Sequence, residues 1–186
     1  MSRIDPIDPK EASGQAKELL DAVQAEIGAT PNLLRTFAQA PSVLNGYLGL
    51  AKSLSAGALS NAVREQIALA VAGENSCDYC ASAHTLIGRN AGVSEDELSA
   101  NLQGVSGDAK VQALLTFAKS VVAKRGFVSD QDLAAARGAG VSDAEIVEVV
   151  AEVARNVLTN YLNHVAQTEI DFPYVSAGEA EAAAAA

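Results

Sequence analysis

The chain has no tryptophan and only 4% aromatic residues, so its interior must be built mostly from alanine, leucine, valine and isoleucine. Small side chains at that density let helices approach closely. Basic residues are also scarce: 13 against 23 acidic ones, for a formal net charge of −10. That sign argues against nucleic acid and anionic membrane surfaces as partners, because both need a positive face. No apolar run approaches the roughly 20 residues needed to cross a bilayer, and the opening MSRIDPIDPKEAS does not have the form of a signal peptide. These absences point to the cytoplasm. Cysteine is limited to Cys77 and Cys80 and histidine to His84 and His164. In a reducing compartment so close a cysteine pair reads as catalytic or metal-binding rather than as a structural staple.

What is present is a folded chain, with 49% hydrophobic against 19% charged residues over 186 positions, and one domain is the default at that length. Helical punctuation recurs. Asp8-Pro9 can open a helix through KEASGQAKELLDAVQAEI, stopped at Gly28; Thr30-Pro31 opens NLLRTFAQA and Pro41 opens SVLNGYLGLAKSL. Ser60 leads NAVREQIALAVA, where Val63, Ile67 and Val71 recur every four residues. Ser94 with Glu97, Ser129 with Asp132 and Ser142 with Glu145 each put a hydroxyl cap three residues before a carboxylate. No window alternates like a strand. The fold class is all-α.

The densest chemistry lies in REQIALAVAGENSCDYCASAH. With Ser76 as the cap, Cys77, Cys80 and His84 fall within roughly 60° of arc on one helix face. Both thiols then sit at the start of the helix, where free N–H groups and the dipole favour thiolate. Glu65 precedes Cys77 by twelve positions, roughly 18 Å along one unbroken helix. The break at Gly73-Glu74-Asn75-Ser76 removes that distance: if the chain reverses there, Glu65 faces the Cys80–His84 turn. Redox cysteine chemistry is one use of such a set. Zinc is another, with Cys77, Cys80 and His84 as ligands and Glu65 or His164 as a fourth. A structural role is a third. A thioredoxin-like arrangement needs a strand before the cysteine helix, and ALAVAGEN continues a helical period instead. Tyr79 reads as a pocket-lining or packing aromatic, Glu74 as a surface loop residue, and Arg64 and Arg155 as members of ion pairs.

The pattern Glu-x11-Cys-x2-Cys-x3-His resembles the alkyl hydroperoxide reductase D branch of the carboxymuconolactone decarboxylase superfamily. TPNLLRTFAQAP resembles the lead-in segment of related peroxidase-like proteins, and NYLNHVAQTEIDFP resembles their closing segment, so the likeness runs over roughly residues 5–174. It implies an all-helical domain over 1–174 that assembles as trimers or larger rings and reduces hydroperoxides without a cofactor or metal. Cys80 would be the peroxidatic thiol and Cys77 the resolving one, with His84 and Glu65 relaying protons and Tyr79 and His164 as neighbours. A dithiol reductant, such as a lipoyl-bearing or thioredoxin-like protein, would restore the pair. The segment EIVEVVAEVARNVLTNYLNHV carries apolar residues around much of its circumference, so one face is expected on the cysteine helix and another against a second subunit, with His164 near that boundary. Residues 175–186, ending in SAGEAEAAAAA, are expected to form a disordered tail.

Overall fold

The computed structural model describes residues 2–178. Among these residues the chain forms α-helices and no strands: α1 (Gly14–Ile27), α2 (Asn32–Phe37), α3 (Pro41–Leu54), α4 (Asn61–Glu74), α5 (Asp78–Asn90), α6 (Glu95–Leu102), α7 (Ala109–Ala123), α8 (Asp130–Gly138) and α9 (Asp143–Ala166). The helix starts follow the serine caps. Ser60, Ser94, Ser129 and Ser142 each accept a hydrogen bond from the backbone N–H three residues on. The Ser129 and Ser142 boxes close reciprocally through Asp132 and Glu145. Glu97 does not complete its box. Its carboxylate instead accepts from Ser106, Gly107, Asn101 and Gln66, tying down the loop after α6.

Two helix starts differ from the sequence expectation. Asp8 closes an isolated turn, its carboxylate accepting from Lys10 N and its carbonyl from Glu11 N and Ala12 N. Gly14 at φ +55° cannot carry a right-handed helix onward from that turn, so α1 begins only there. Ser76 is not the cap of the cysteine helix. It sits at φ +52°, outside the helix, and Cys77 takes the N-cap position.

α4 organises the interior. Most of its residues from Arg64 to Ala72 are buried, and it packs against α5, α6, α7 and α9. One side gives Leu69 and Ala72 to a core shared with Leu20, Phe37, Leu44 and Leu98. The other gives Ile67, Ala70 and Val71 to a core with Leu115, Phe117, Val149 and Val153. A helix that is apolar on both sides must lie inside the molecule. At its C-terminal end the backbone runs so close to α6 that a Cβ on Gly73 would sit 1.9 Å from the Leu102 carbonyl oxygen. Only glycine fits there.

After α9, Gln167 adopts φ +48° and the chain turns back over α5. Val175 N donates to Ser82 Oγ, while Ala177 N and Tyr174 Oη donate to the two carboxylate oxygens of Asp78. Residues 175–178, expected to begin a tail, are therefore held against the cysteine helix. The rest of the expected tail, 179–186, lies outside the described residues.

Candidate active site

The three-residue break of Asn75, Ser76 and Cys77 between α4 and α5 reverses the chain, as the Glu65 spacing requires. Glu65 Oε2 lies 2.6 Å from His84 Nδ1, and both side chains are largely buried. Burial opposes the charged form of each group, yet the mutual ion pair prevails: the Glu65 carboxyl is held below its ordinary range and the His84 imidazole above its own. With Nδ1 held by the carboxylate, Nε2 is the ring nitrogen left for the cavity that His84 lines.

Both cysteines are free and buried. Cys77 is the N-cap residue of α5 and Cys80 stands in its first turn, at the third helical position. The thiols are not equivalent. Cys80 is pulled down to about 6, chiefly by a hydrogen bond from Cys77, against the effect of burial; the His84 charge and the amides of Asn160 and Asn163 add to the shift. Cys77 is raised by that same hydrogen bond and by burial. Hence Cys80 holds the thiolate and Cys77 the proton.

α9 supplies a polar wall that sequence reasoning missed. Asn163 Nδ2 lies 3.3 Å from Cys80 Sγ and 4.0 Å from Cys77 Sγ. Thr159 Oγ1 lies 3.8 Å from Cys80 Sγ. Asn160 is oriented by Asn75, from the break between α4 and α5, whose Nδ2 donates to Asn160 Oδ1 at 2.8 Å. These residues stand some eighty positions from the cysteines. The signal available was the polar run TNYLNH inside an apolar helix.

The remaining candidates divide. Tyr79 lines the cavity, but its hydroxyl accepts from Leu33 N at 3.0 Å and donates to Asp171 Oδ1 at 2.8 Å, so it also caps α2. Burial leads the rise in its pKa. His164 is exposed and does not join the thiols; its Nε2 lies 2.9 Å from the Asn75 carbonyl oxygen. Glu74 ends α4, with Lys119 at 3.4 Å, and is not a loop residue. Arg64 and Arg155 do form ion pairs, both with buried Glu152, at 2.7 and 2.8 Å. Among the described residues no group of three or more His, Cys, Asp or Glu side chains is placed to hold a metal ion.

Cys80 and His84 open onto a cavity of about 550 Å³ between α1, α2, α3 and α5. Its walls are mainly apolar, with Val23, Leu33, Leu34, Leu48, Ile87 and Phe172 among them. The arrangement can form a thiolate in a water-poor pocket, take up one oxygen or other electrophile at sulfur, and close a bond to the neighbouring thiol.

Comparison with known proteins bears on the fold and on the α4–α5 segment. Residues 38–106, which include the whole α4–α5 pair, match the model of the Carboxymuconolactone decarboxylase family. An alkyl hydroperoxide reductase of Mycobacterium tuberculosis is 29% identical over 107 residues, 57% of this chain and 31% of the relative. The match thus spans about a third of that relative's length. Among solved structures, the alkylhydroperoxidase AhpD core of an uncharacterized peroxidase-related protein from Ralstonia eutropha JMP134 superposes with a TM-score of 0.81 at 24% identity, covering 91% of this chain and 92% of that one. An uncharacterized peroxidase-related protein from Silicibacter sp. TM1040 gives 0.77 at 21%, over 90% and 92%. A cysteine variant of the debrominase Bmp8, in complex with 2,3,4-tribromopyrrole, gives 0.76 at 18%, over 92% of both chains. Residues 38–106 thus resemble the carboxymuconolactone decarboxylase family, and the chain has the fold of the alkylhydroperoxidase AhpD core.

Proposed function

We propose that the protein is a thiol-dependent hydroperoxide reductase in which Cys80 is the peroxidatic thiol and Cys77 the resolving one. The observation that carries this reading is the asymmetry of the pair: an acidified Cys80 beside a protonated Cys77, next to a buried His84–Glu65 ion pair, on the wall of an apolar cavity. The name of the Mycobacterium relative is consistent with it. In the first step the Cys80 thiolate attacks the terminal oxygen of the hydroperoxide. An S–O bond forms, the O–O bond breaks, and the departing alkoxide takes the proton of the His84 imidazolium, leaving as alcohol. In the second, the Cys77 sulfur displaces the hydroxyl of the Cys80 sulfenic acid. The Cys77 proton returns through His84, water leaves, and a Cys77–Cys80 disulfide results. Exchange with an external dithiol, such as dihydrolipoamide on a carrier protein or a thioredoxin-like protein, reduces the pair.

The test couples dihydrolipoamide, thioredoxin and glutathione in turn to an organic hydroperoxide. Turnover with a dithiol, together with a loss of two mass units on oxidation, supports the reading. Failure of every donor, or stoichiometric zinc that blocks both thiols in native mass spectrometry, sinks it and favours a binding or assembly module. Role order has its own arm. Cys80→Ser should abolish peroxide consumption, whereas Cys77→Ser should react once and stall as a sulfenic acid that dimedone labels. Dimedone labelling of Cys77 in the Cys80→Ser variant would reverse the roles.

A further inference from the structure

We propose that Tyr47 donates a hydrogen bond from its phenol to the alkoxy oxygen of the bound hydroperoxide, which makes it a substrate-positioning group of the cavity. The inference rests on the hydroperoxide-reductase reading of Cys80. Tyr47 and Tyr79 both line the cavity that Cys80 and His84 face. Their hydroxyls differ. Tyr79 gives its proton to Asp171 and accepts from Leu33 N, so nothing is left for a ligand. Tyr47 accepts from Arg155 Nη1 at 3.2 Å. A guanidinium can only donate, so the Tyr47 proton has no part in that bond, and no acceptor takes it among the described residues.

The phenol is held by two neighbours. Phe37 stacks on its ring with centroids 5.1 Å apart and planes 18° apart. Arg155 stands over the ring at 6.0 Å and is itself fixed by Glu152, whose other oxygen holds Arg64. Burial keeps the Tyr47 hydroxyl protonated well above neutral pH, against the opposing Arg155 charge. A fixed, uncommitted donor in a mainly apolar cavity is suited to an oxygen that gains charge during reaction. When the O–O bond breaks, the electron pair moves to the alkoxy oxygen. Tyr47 stabilises that oxygen while His84 delivers the proton. Arg155 acts through Tyr47 and is a positioning residue.

The test uses the reduced full-length protein and cumene hydroperoxide in single-turnover oxidation. Tyr47→Phe keeps the stack on Phe37 and removes only the hydroxyl. The rate of Cys80 oxidation should fall about tenfold or more, while alkylation of Cys80 by iodoacetamide, whose leaving group is iodide and not an oxygen, stays within about twofold and the thermal midpoint is retained. An unchanged oxidation rate in Tyr47→Phe overturns the proposal. Equal losses in oxidation and alkylation overturn it too, since they place the effect on the thiol or the fold. A wild-type protein whose Cys80 alkylates but never reacts with hydroperoxide removes the underlying reading, and the Tyr47 role with it.

Discussion

Cys80 is a weakly acidic side chain in a place that should make it weaker still. Burial raises a thiol pKa, and only the Cys77 hydrogen bond, the His84 charge and the α9 amides reverse that. The sign of the pH dependence follows. Between about 6 and the ordinary value of 9.0 the folded protein carries a thiolate where the unfolded chain carries a thiol. The unfolded state then binds more protons, so the Cys80 contribution to stability grows as pH rises through that window and fades below it. Urea unfolding of the reduced protein and of Cys80→Ala should diverge from pH 5.5 to 9; parallel curves would contradict this account. The His84–Glu65 pair makes a separate claim. In Glu65→Gln the imidazole loses its partner and titrates lower, so less positive charge faces Cys80. The midpoint of Cys80 alkylation should therefore move above 6, and an unmoved midpoint would show that Glu65 does not act through His84.

At the scale of elements, the break between α4 and α5 fixes the site, and Ser76 within it and Gly73 in the last turn of α4 test it. Ser76 is held at φ +52° with its hydroxyl buried and unpartnered. Ser76→Gly should leave stability unchanged or raise it by about 0.5–1 kcal/mol, whereas Ser76→Val should lower it by more than that. Gly73→Ala places a methyl against backbone that cannot step aside, at a cost of about 1–3 kcal/mol or more in chemical denaturation. Much of this level was legible from local chemistry. Serine caps, the doubled face of α4 and the Glu65 register are set by residues close in sequence. What was not legible was non-local. Nothing near Tyr79 signals that its hydroxyl will serve Leu33, forty-six positions away, and nothing near Cys80 names Thr159, Asn160 or Asn163. The late start of α1 was missed for another reason. Pro9 and its neighbours satisfy helix-opening rules, but the turn that Asp8 closes and the left-handed Gly14 win locally.

Over the whole molecule, the largest polar investment is Glu152, fully buried between Arg64 and Arg155. Glu152→Ala leaves two guanidinium groups without their partner and should destabilise by about 3–5 kcal/mol. Because Arg155 also orients Tyr47, peroxide reactivity should decline in the same variant even at temperatures where it remains folded. The cavity sets a preference as well. A mainly apolar space of about 550 Å³ is far larger than hydrogen peroxide needs. Cumene or tert-butyl hydroperoxide should therefore outpace hydrogen peroxide in kcat/KM, and the reverse ranking would mean that the cavity does not bind substrate. The outer face of α9 bears on assembly. Val147, Val150, Leu158, Tyr161 and Val165 are exposed along it. We propose that this stripe joins copies of the chain, and Leu158→Glu should lower the mass seen by light scattering. A wild-type monomer with full activity at low micromolar concentration would remove that proposal.

The segment that folds back over α5 has a practical consequence for how the protein is handled. Its anchor is Asp78, which receives both Tyr174 Oη and Ala177 N and lies between the two cysteines in the chain. Were the proposed disulfide to close, any twist of that turn would reach residues 174 and 177 through these two hydrogen bonds. An affinity tag at that end is then not a bystander: tagged and untagged preparations should differ in redox potential and oxidation rate, while a tag at the other end leaves both alone. The same coupling makes that end the place for a fluorophore, whose anisotropy should change on oxidation if the proposed disulfide forms.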